Sequence, residues 1–252
     1  MSEQLIKTSF AEGIYTILLA RPAKRNAISD RLLAALEKAW DTAHEETRAV
    51  ILAGEGDHFC AGLDLSEHQH REPFAVMKHS QGWQRVFSKI QMSGTPVIVV
   101  MQGAVIGGGL ELATSAHVRI AEPSAMYQLP EGRHGIFVGG GASVRVARII
   151  GPSRMCEMML TGRIYKAEEG QQLGLSHYLV DQGHGMAKAQ ELACRIAENA
   201  PMANYAMVTA IQRISNMSAD DGFYVEALTA GLIQTNPEVA ARIGGFLKRK
   251  KG

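Results

Sequence analysis

Short apolar runs alternate with amphipathic stretches through the first half of this chain. Ile14 to Ala20 is rich in Ile, Leu and Thr and ends at Arg21-Pro22, which predicts a strand. Ser29 can cap the helix that follows, in which Leu32, Leu33, Leu36 and Trp40 share one face as far as His44. Ala49 to Ala53 is a second apolar strand, closed by Gly54, and Phe59 to Leu65 forms a turn around Gly62. Phe74 to Gln91 repeats the helical period through Val76, Met77, Trp83, Val86, Phe87 and Ile90. Pro96 to Met101 predicts a buried strand, Gly108 to Ser115 a helix and His117 to Ala121 a short strand.

From Gly139 onward the pattern is mostly helical. Helices are expected near 139–150, 152–160, 167–172, 184–199, 202–215, 220–234 and 237–249, with His177 to Val180 as a short strand. Strands that are apolar throughout imply a sheet covered by helices, hence an α/β fold with a helical C-terminal third.

Composition narrows the function classes. The chain has 252 residues, 46% hydrophobic and 20% charged, an ordinary globular balance. A net charge of +1 gives no global field for nucleic acid. The basic run Lys248 to Lys251 reads as a solvated tail or as a phosphate contact. Cys60, Cys156 and Cys194 are odd in number and lack Cys-x-x-Cys spacing, so reduced thiols and a cytoplasmic location are expected. The N-terminus carries no apolar signal region, and no apolar run reaches the roughly 18 residues of a membrane span. The histidines form no metal-ligand set; His68 and His70 lie in a polar stretch.

The candidate chemistry sits in two glycine-rich segments. Gly107, Gly108 and Gly109 open the helix that carries Glu111, and Glu131 follows Pro130 and precedes Gly132. Bare N–H groups at such a turn can hold a developing oxyanion, although a tight strand-to-helix turn needs the same small residues. A carboxyl in the apolar setting of Leu110 and Leu112 is costly unless hydrogen-bonded, and burial raises its pKa. Two carboxyls with separated pKa values can act as acid and base. A second turn, Asp57 to Leu65, could donate from the opposite side or be a plain loop. Cys60 beside it reads as a packed thiol or a nucleophile. The glycines do not form the dinucleotide fingerprint after an N-terminal strand.

Four ordered segments resemble the crotonase superfamily of enoyl-CoA hydratases and isomerases, over essentially the whole chain. They are Arg21 to Ala27, Phe59 to Leu65, Gly103 to Ala113, and Leu129-Pro130-Glu131 followed by Gly139 to Gly141. Thr161-Gly162-Arg163 and Gly174-Leu175 match later positions. The resemblance implies a spiral of ββα units over residues 1–195 and a helical oligomerisation region over 196–252. A homotrimer or dimer of trimers follows from it. So does an acyl-CoA substrate, with coenzyme A as part of the thioester and no permanently bound cofactor or metal.

It implies oxyanion donors at the N–H groups of Ala61 and Gly108, with Gly107 beside the substrate. Coenzyme A contacts are implied at Arg25, Ala27, Ala61, Gly62, Leu63, Asp64, Leu65 and Lys248. With both glutamates present, hydration of a 2-enoyl-CoA is the leading expectation: Glu111 activates water and Glu131 exchanges the α-proton. Isomerase, hydrolase and hydroxycinnamoyl-CoA hydratase-lyase chemistry are the alternatives on the same scaffold, and a non-catalytic acyl-CoA-binding subunit is another. Three departures stand out. Val138 replaces a common proline, Arg133 and His134 lie beside the acid/base position, and Tyr224 resembles in position a tyrosine that binds phenolic acyl groups. Met77 and Trp83 fall in the region expected to form the acyl pocket or to pack the core.

Overall fold

The computed structural model describes residues 4–67, 72–239 and 241–242. Strands β1 (Ile6–Ala11) and β2 (Ile14–Leu19) form an antiparallel hairpin. Its turn residues, Glu12 and Gly13, both have positive φ, which matches the right-handed twist of the flanking strands. β2 then pairs in parallel with β3 (Ala49–Gly54), β3 with β4 (Val97–Met101) and β4 with β6 (Val118–Ala121). The last partner is β9 (Tyr178–Leu179). Helix α1 (Asp30–Asp41) and helix α2 (Pro73–Met92) make the first two crossovers. The expected cap on α1 is present: Ser29 Oγ accepts from the N–H of Leu32 at 3.1 Å.

A smaller sheet joins β5 (Ala104–Ile106), β7 (Met126–Gln128) and β8 (Tyr165–Lys166). Isolated bridges from Cys60 to Val105 and from Leu63 to Ile28 extend this second row toward the N-terminal turns. Successive turns of chain therefore add a strand to the large sheet and a short pairing to the second row, which makes a ββα spiral. Helix α3 (Gly108–Ala113) starts where β5 ends, so the site residues lie at the junction of the two rows.

Strands β3 and β4 are buried along their whole length. On one face, Leu32 and Leu36 of α1 and Trp83, Phe87 and Ile90 of α2 meet Val50, Leu52, Val97 and Val99. On the other, Ala189, Leu192 and Ala193 of α7 (Gly185–Ala197) pack on Ile51, Ile98 and Ile120. The remaining helices are α4 (Ala142–Ile150), α5 (Pro152–Thr161), α6 (Ala167–Gln172), α8 (Pro201–Ile214) and α9 (Ala219–Gln234). α8 packs on α9 and α2. Helix α4 begins three residues later than expected, because Gly139 to Gly141 form a turn that feeds it. Most of the helix expected over 237–249 lies outside the described residues. Among the described residues, no helix is long and apolar enough to cross a membrane.

Candidate active site

The loop from Cys60 to Leu65 is pinned on both sides. Cys60 donates to Ala104 O at 2.9 Å, and Ile106 donates to Cys60 O at 3.1 Å. Ile28 donates to Gly62 O at 2.7 Å, and Asp64 donates to Ile28 O at 3.0 Å. In this parallel bridge the bonds are made by residues 62 and 64, so the N–H of Leu63 faces away from Ile28. Among the described residues it has no hydrogen-bond acceptor, and neither does the N–H of Gly108 at the start of α3. Gly62 brings the two turns together. A Cβ there would meet Ile106 O at 2.6 Å and Gly108 N at 3.2 Å, and its φ is +89°.

One expectation needs correction. The N–H of Ala61 donates to Arg25 O at 2.9 Å, so it is spent inside the fold and does not face an incoming carbonyl. Leu63, grouped in the sequence with the coenzyme A contacts, carries the N–H without an acceptor. Which of two neighbouring amides is bare depends on the bridge to Ile28, a contact between segments 35 residues apart that local sequence does not encode.

Two buried residues lock this loop to the Arg21–Ala27 segment. Arg21 Nη2 lies 3.0 Å from Asp64 Oδ2, and Arg21 Nη1 donates to Ala27 O at 2.7 Å. Ser66 donates to Asp64 through its Oγ at 2.6 Å, and with Arg21 this holds the Asp64 carboxyl below its usual range. Asn26 has φ +55° and no exposure. Its amide donates to Glu55 O and His58 O while its oxygen accepts from Arg21 N. Asn tolerates this left-handed backbone better than most residues. Arg25 and Ala27 thus act on the site through their backbone carbonyls, and the Arg25 side chain is exposed.

Glu111 and Glu131 line the same cavity. Glu111 is 3% exposed on α3. Its Oε1 accepts from the N–H groups of Gly140 and Ala142 at 2.8 and 2.9 Å. Burial pushes its pKa up, while those two bonds and the Arg145 guanidinium oppose the rise. Arg145 is itself buried. It donates to Gly140 O at 2.8 Å, Gln91 Oε1 at 2.8 Å and Ser88 Oγ at 3.2 Å, which sets the turn that serves Glu111. Glu131 begins a short 3₁₀ turn after Pro130. Burial, with Glu111's charge adding a smaller push, raises its pKa from 4.5 to about 7. Its Oε2 is buried without a hydrogen-bond partner among the described residues. Gly107 lets this carboxyl approach the backbone, since a Cβ there would lie 2.9 Å from Glu131 Oε1.

The cavity these groups share has a volume of about 380 Å³. Ala61 to Leu65, Gly107, Gly108, Glu111 and Glu131 all line it, whereas Arg25 and Ala27 do not. Trp83 and Val138 complete its apolar wall, and His134 reaches it. Met77 is exposed and does not line it. Arg133 turns outward and donates to Thr161 O at 3.2 Å. Tyr224 is 67% exposed on α9 and is not brought to the cavity within this chain. Lys248, His68 and His70 lie outside the described residues. The sequence reading missed Arg145, Asn26 and the pairing of Arg21 with Asp64; a basic residue four positions past a glycine turn was the available signal for Arg145. Cys60 is fully buried, and burial pushes its thiol up to about 12, which removes it as a nucleophile.

The spiral α/β fold thus brings two main-chain donors without acceptors among the described residues and two buried carboxyls to one cavity. The family model described as enoyl-CoA hydratase/isomerase matches residues 9–251, and the chain belongs to that family, within the crotonase superfamily. It is 32% identical over 215 residues to the enoyl-CoA hydratase EchA19 of Mycobacterium tuberculosis, covering 83% of this chain and 81% of that protein. It is 27% identical to the 2,3-dehydroadipyl-CoA hydratase of Escherichia coli, covering 99% and 97%. A crystal structure from Rhodopseudomonas palustris CGA009, provisionally assigned as an enoyl-CoA hydratase, superposes with a TM-score of 0.95 at 48% identity, covering 98% and 96%. The enoyl-CoA hydratase of Bacillus anthracis does so with 0.91 at 29% identity, covering 98% and 97%. The fold is the crotonase fold, and the chain is an enzyme of the enoyl-CoA hydratase kind.

Proposed function

We propose that this enzyme adds water across the double bond of a 2-enoyl-CoA. The thioester carbonyl accepts from the N–H groups of Leu63 and Gly108, which stabilise the negative charge that builds on its oxygen as water attacks C3. Glu111, anchored through Oε1, offers its second oxygen to the water and takes its proton. Glu131 supplies the proton that C2 receives. The pair exchanges one proton per turnover and is reset by transfer between the carboxyls or through solvent. The observation that carries this reading is the meeting on one cavity of Glu111, anchored by the N–H groups of Gly140 and Ala142, Glu131 and the N–H groups of Leu63 and Gly108; burial, which raises the Glu131 carboxyl to about 7, suits it to act as acid and base at neutral pH. Coenzyme A enters as part of the substrate and needs no permanent site. The exposed Arg25 side chain is suited to one of its phosphates. α9 exposes Phe223, Tyr224, Leu228 and Leu232, an apolar face suited to assembly as a trimer or dimer of trimers.

The test is incubation with crotonyl-CoA, following loss of the conjugated enoyl absorbance and the product mass. A gain of one water, abolished by Glu111→Gln, is expected. No reaction with crotonyl-CoA or any longer 2-enoyl-CoA overturns the proposal and moves the assignment to another reaction of the family.

A further inference from the structure

The turn that holds Glu111 has no side chains of its own to fix it. Gly139, Gly140 and Gly141 follow one another, and Gly141 has a φ of +115°. Glycine loses more conformational freedom on folding than any other residue, so such a turn keeps one shape only when braced from outside. The brace is Arg145. Its guanidinium fills the space that a Cβ on Gly141 would take, and its Nη1 donates to Gly140 O at 2.8 Å. That carbonyl belongs to the peptide between the two whose N–H groups, at Gly140 and Ala142, hold Glu111 Oε1.

Arg145 is aimed in turn by Gln91, in the last turn of α2. Arginine carries no acceptor, so the atom of the Gln91 amide that faces Arg145 Nε at 2.8 Å is its oxygen. The amide nitrogen then faces α8, where it donates to Gln212 Oε1 at 3.2 Å. The main chain of Gln91 is held as well. His117 Nδ1 accepts from the N–H of Val97 at 3.0 Å, which puts the ring proton on Nε2, 2.9 Å from Gln91 O. Main chain and side chain of Gln91 are thus both committed, and none of Gln91, His117, Arg145 and Gln212 lines the cavity.

We infer that Gln91 is a positioning residue for Glu111, acting through Arg145 and Gly140, and that Gln212 makes α8 part of the same support. A helix with no described residue in the cavity wall thereby helps to set the carboxyl that meets the water. The effect on rate rests on the role proposed for Glu111; the effect on the titration of Glu111 does not. The bonds from Gly140 and Ala142 and the Arg145 cation oppose the rise that burial imposes on this carboxyl, so slackening them raises it further. Glu131 also faces it, and Asp30, Asp64, His79 and His134 line the same cavity.

The test is Gln91→Met, close in size and without either polar end. Hydration of crotonyl-CoA gives kcat and KM. The Glu111 carboxyl is titrated by carbon-13 NMR, its resonance assigned by its loss in Glu111→Gln. A fall in kcat of about tenfold or more is expected with KM within about twofold, since misplacement by about 1 Å costs up to roughly a hundredfold. Glu111 is expected to titrate at higher pH. Gln212→Met, at a half-buried position, is expected to shift both in the same direction by less, and it carries the test if Gln91→Met does not fold. The double variant of Gln91→Met with Arg145→Met is expected to be no slower than Arg145→Met alone, because Gln91 acts through that guanidinium. Unchanged kcat and titration in Gln91→Met, or losses that multiply in the double variant, overturn the inference. An unchanged Gln212→Met overturns the part given to α8. A wild-type protein that hydrates no 2-enoyl-CoA, with a Glu111 titration that still moves in Gln91→Met, sinks the hydratase reading and leaves the support standing.

Discussion

Replacing Glu131 with Gln tests the acid/base assignment through stability as well as through rate. The folded protein holds the carboxyl near 7, against 4.5 for the ordinary group. Below 4.5 the group is protonated whether folded or unfolded and carries no penalty. As pH rises, the unfolded chain ionises first, so the folded state loses relative stability until pH passes 7. At about 1.4 kcal/mol per tenfold change in proton affinity, the full loss is roughly 3 kcal/mol, of which about 2.5 falls between pH 5 and pH 8. Glutamine is nearly isosteric and does not titrate, so Glu131→Gln removes this slope.

Urea unfolding at pH 5 and pH 8, at one protein concentration, measures it. The variant is expected to gain about 2.5 kcal/mol over the wild type on going from pH 5 to pH 8. Hydration is expected to fall by about 10²–10⁴-fold, the range for loss of a positioned acid or base. Parallel stability profiles refute the burial argument. Near wild-type hydration refutes the catalytic role, whatever stability does.

Gly108→Ala drives a Cβ into the Trp83 ring and is expected to cost about 1–3 kcal/mol, with a partial recovery in the double variant with Trp83→Leu, measured as a double-mutant cycle. Arg145→Met frees the Gly140 turn and removes the cation opposing the rise in Glu111's pKa; kcat is expected to fall while KM moves little, and an unchanged kcat removes Arg145 from a positioning role. Asp64→Asn leaves the Arg21 guanidinium buried without its counter-charge, an expected loss of about 3–5 kcal/mol in urea unfolding, and a loss under about 1 kcal/mol shows that the pair is solvated.

What the chain disclosed about itself follows from which forces are local. β2, β3, β4 and the helices α1 and α2 were legible because their burial is written as periodic apolar runs. β1 was not read: five of its six residues are exposed, so it has no alternation, and it exists because it pairs with β2. β5, β7 and β8 have only two or three residues each, too few to carry a period, and are placed by β-pairing with distant segments. Both glutamates and the glycine turns stood out in the sequence, and the fold brings them to one cavity. The choice of Leu63 over Ala61 was not legible, because it depends on where Ile28 and Arg25 dock. Arg145 stayed hidden for a related reason. Its value lies in Gly140, Gln91 and Ser88, which only the folded chain assembles.

The bare amides of Leu63 and Gly108 belong to the main chain, and this has a consequence for inheritance. No codon change at either position, short of one introducing proline, deletes the donor; it can only move it. Glu111 and Glu131, by contrast, lose their carboxyls in a single side-chain replacement. A gene copy that drifts therefore keeps both main-chain donors while its two carboxyls are free to change. What the backbone holds is passed on as architecture, and what the side chains hold can be rewritten one residue at a time.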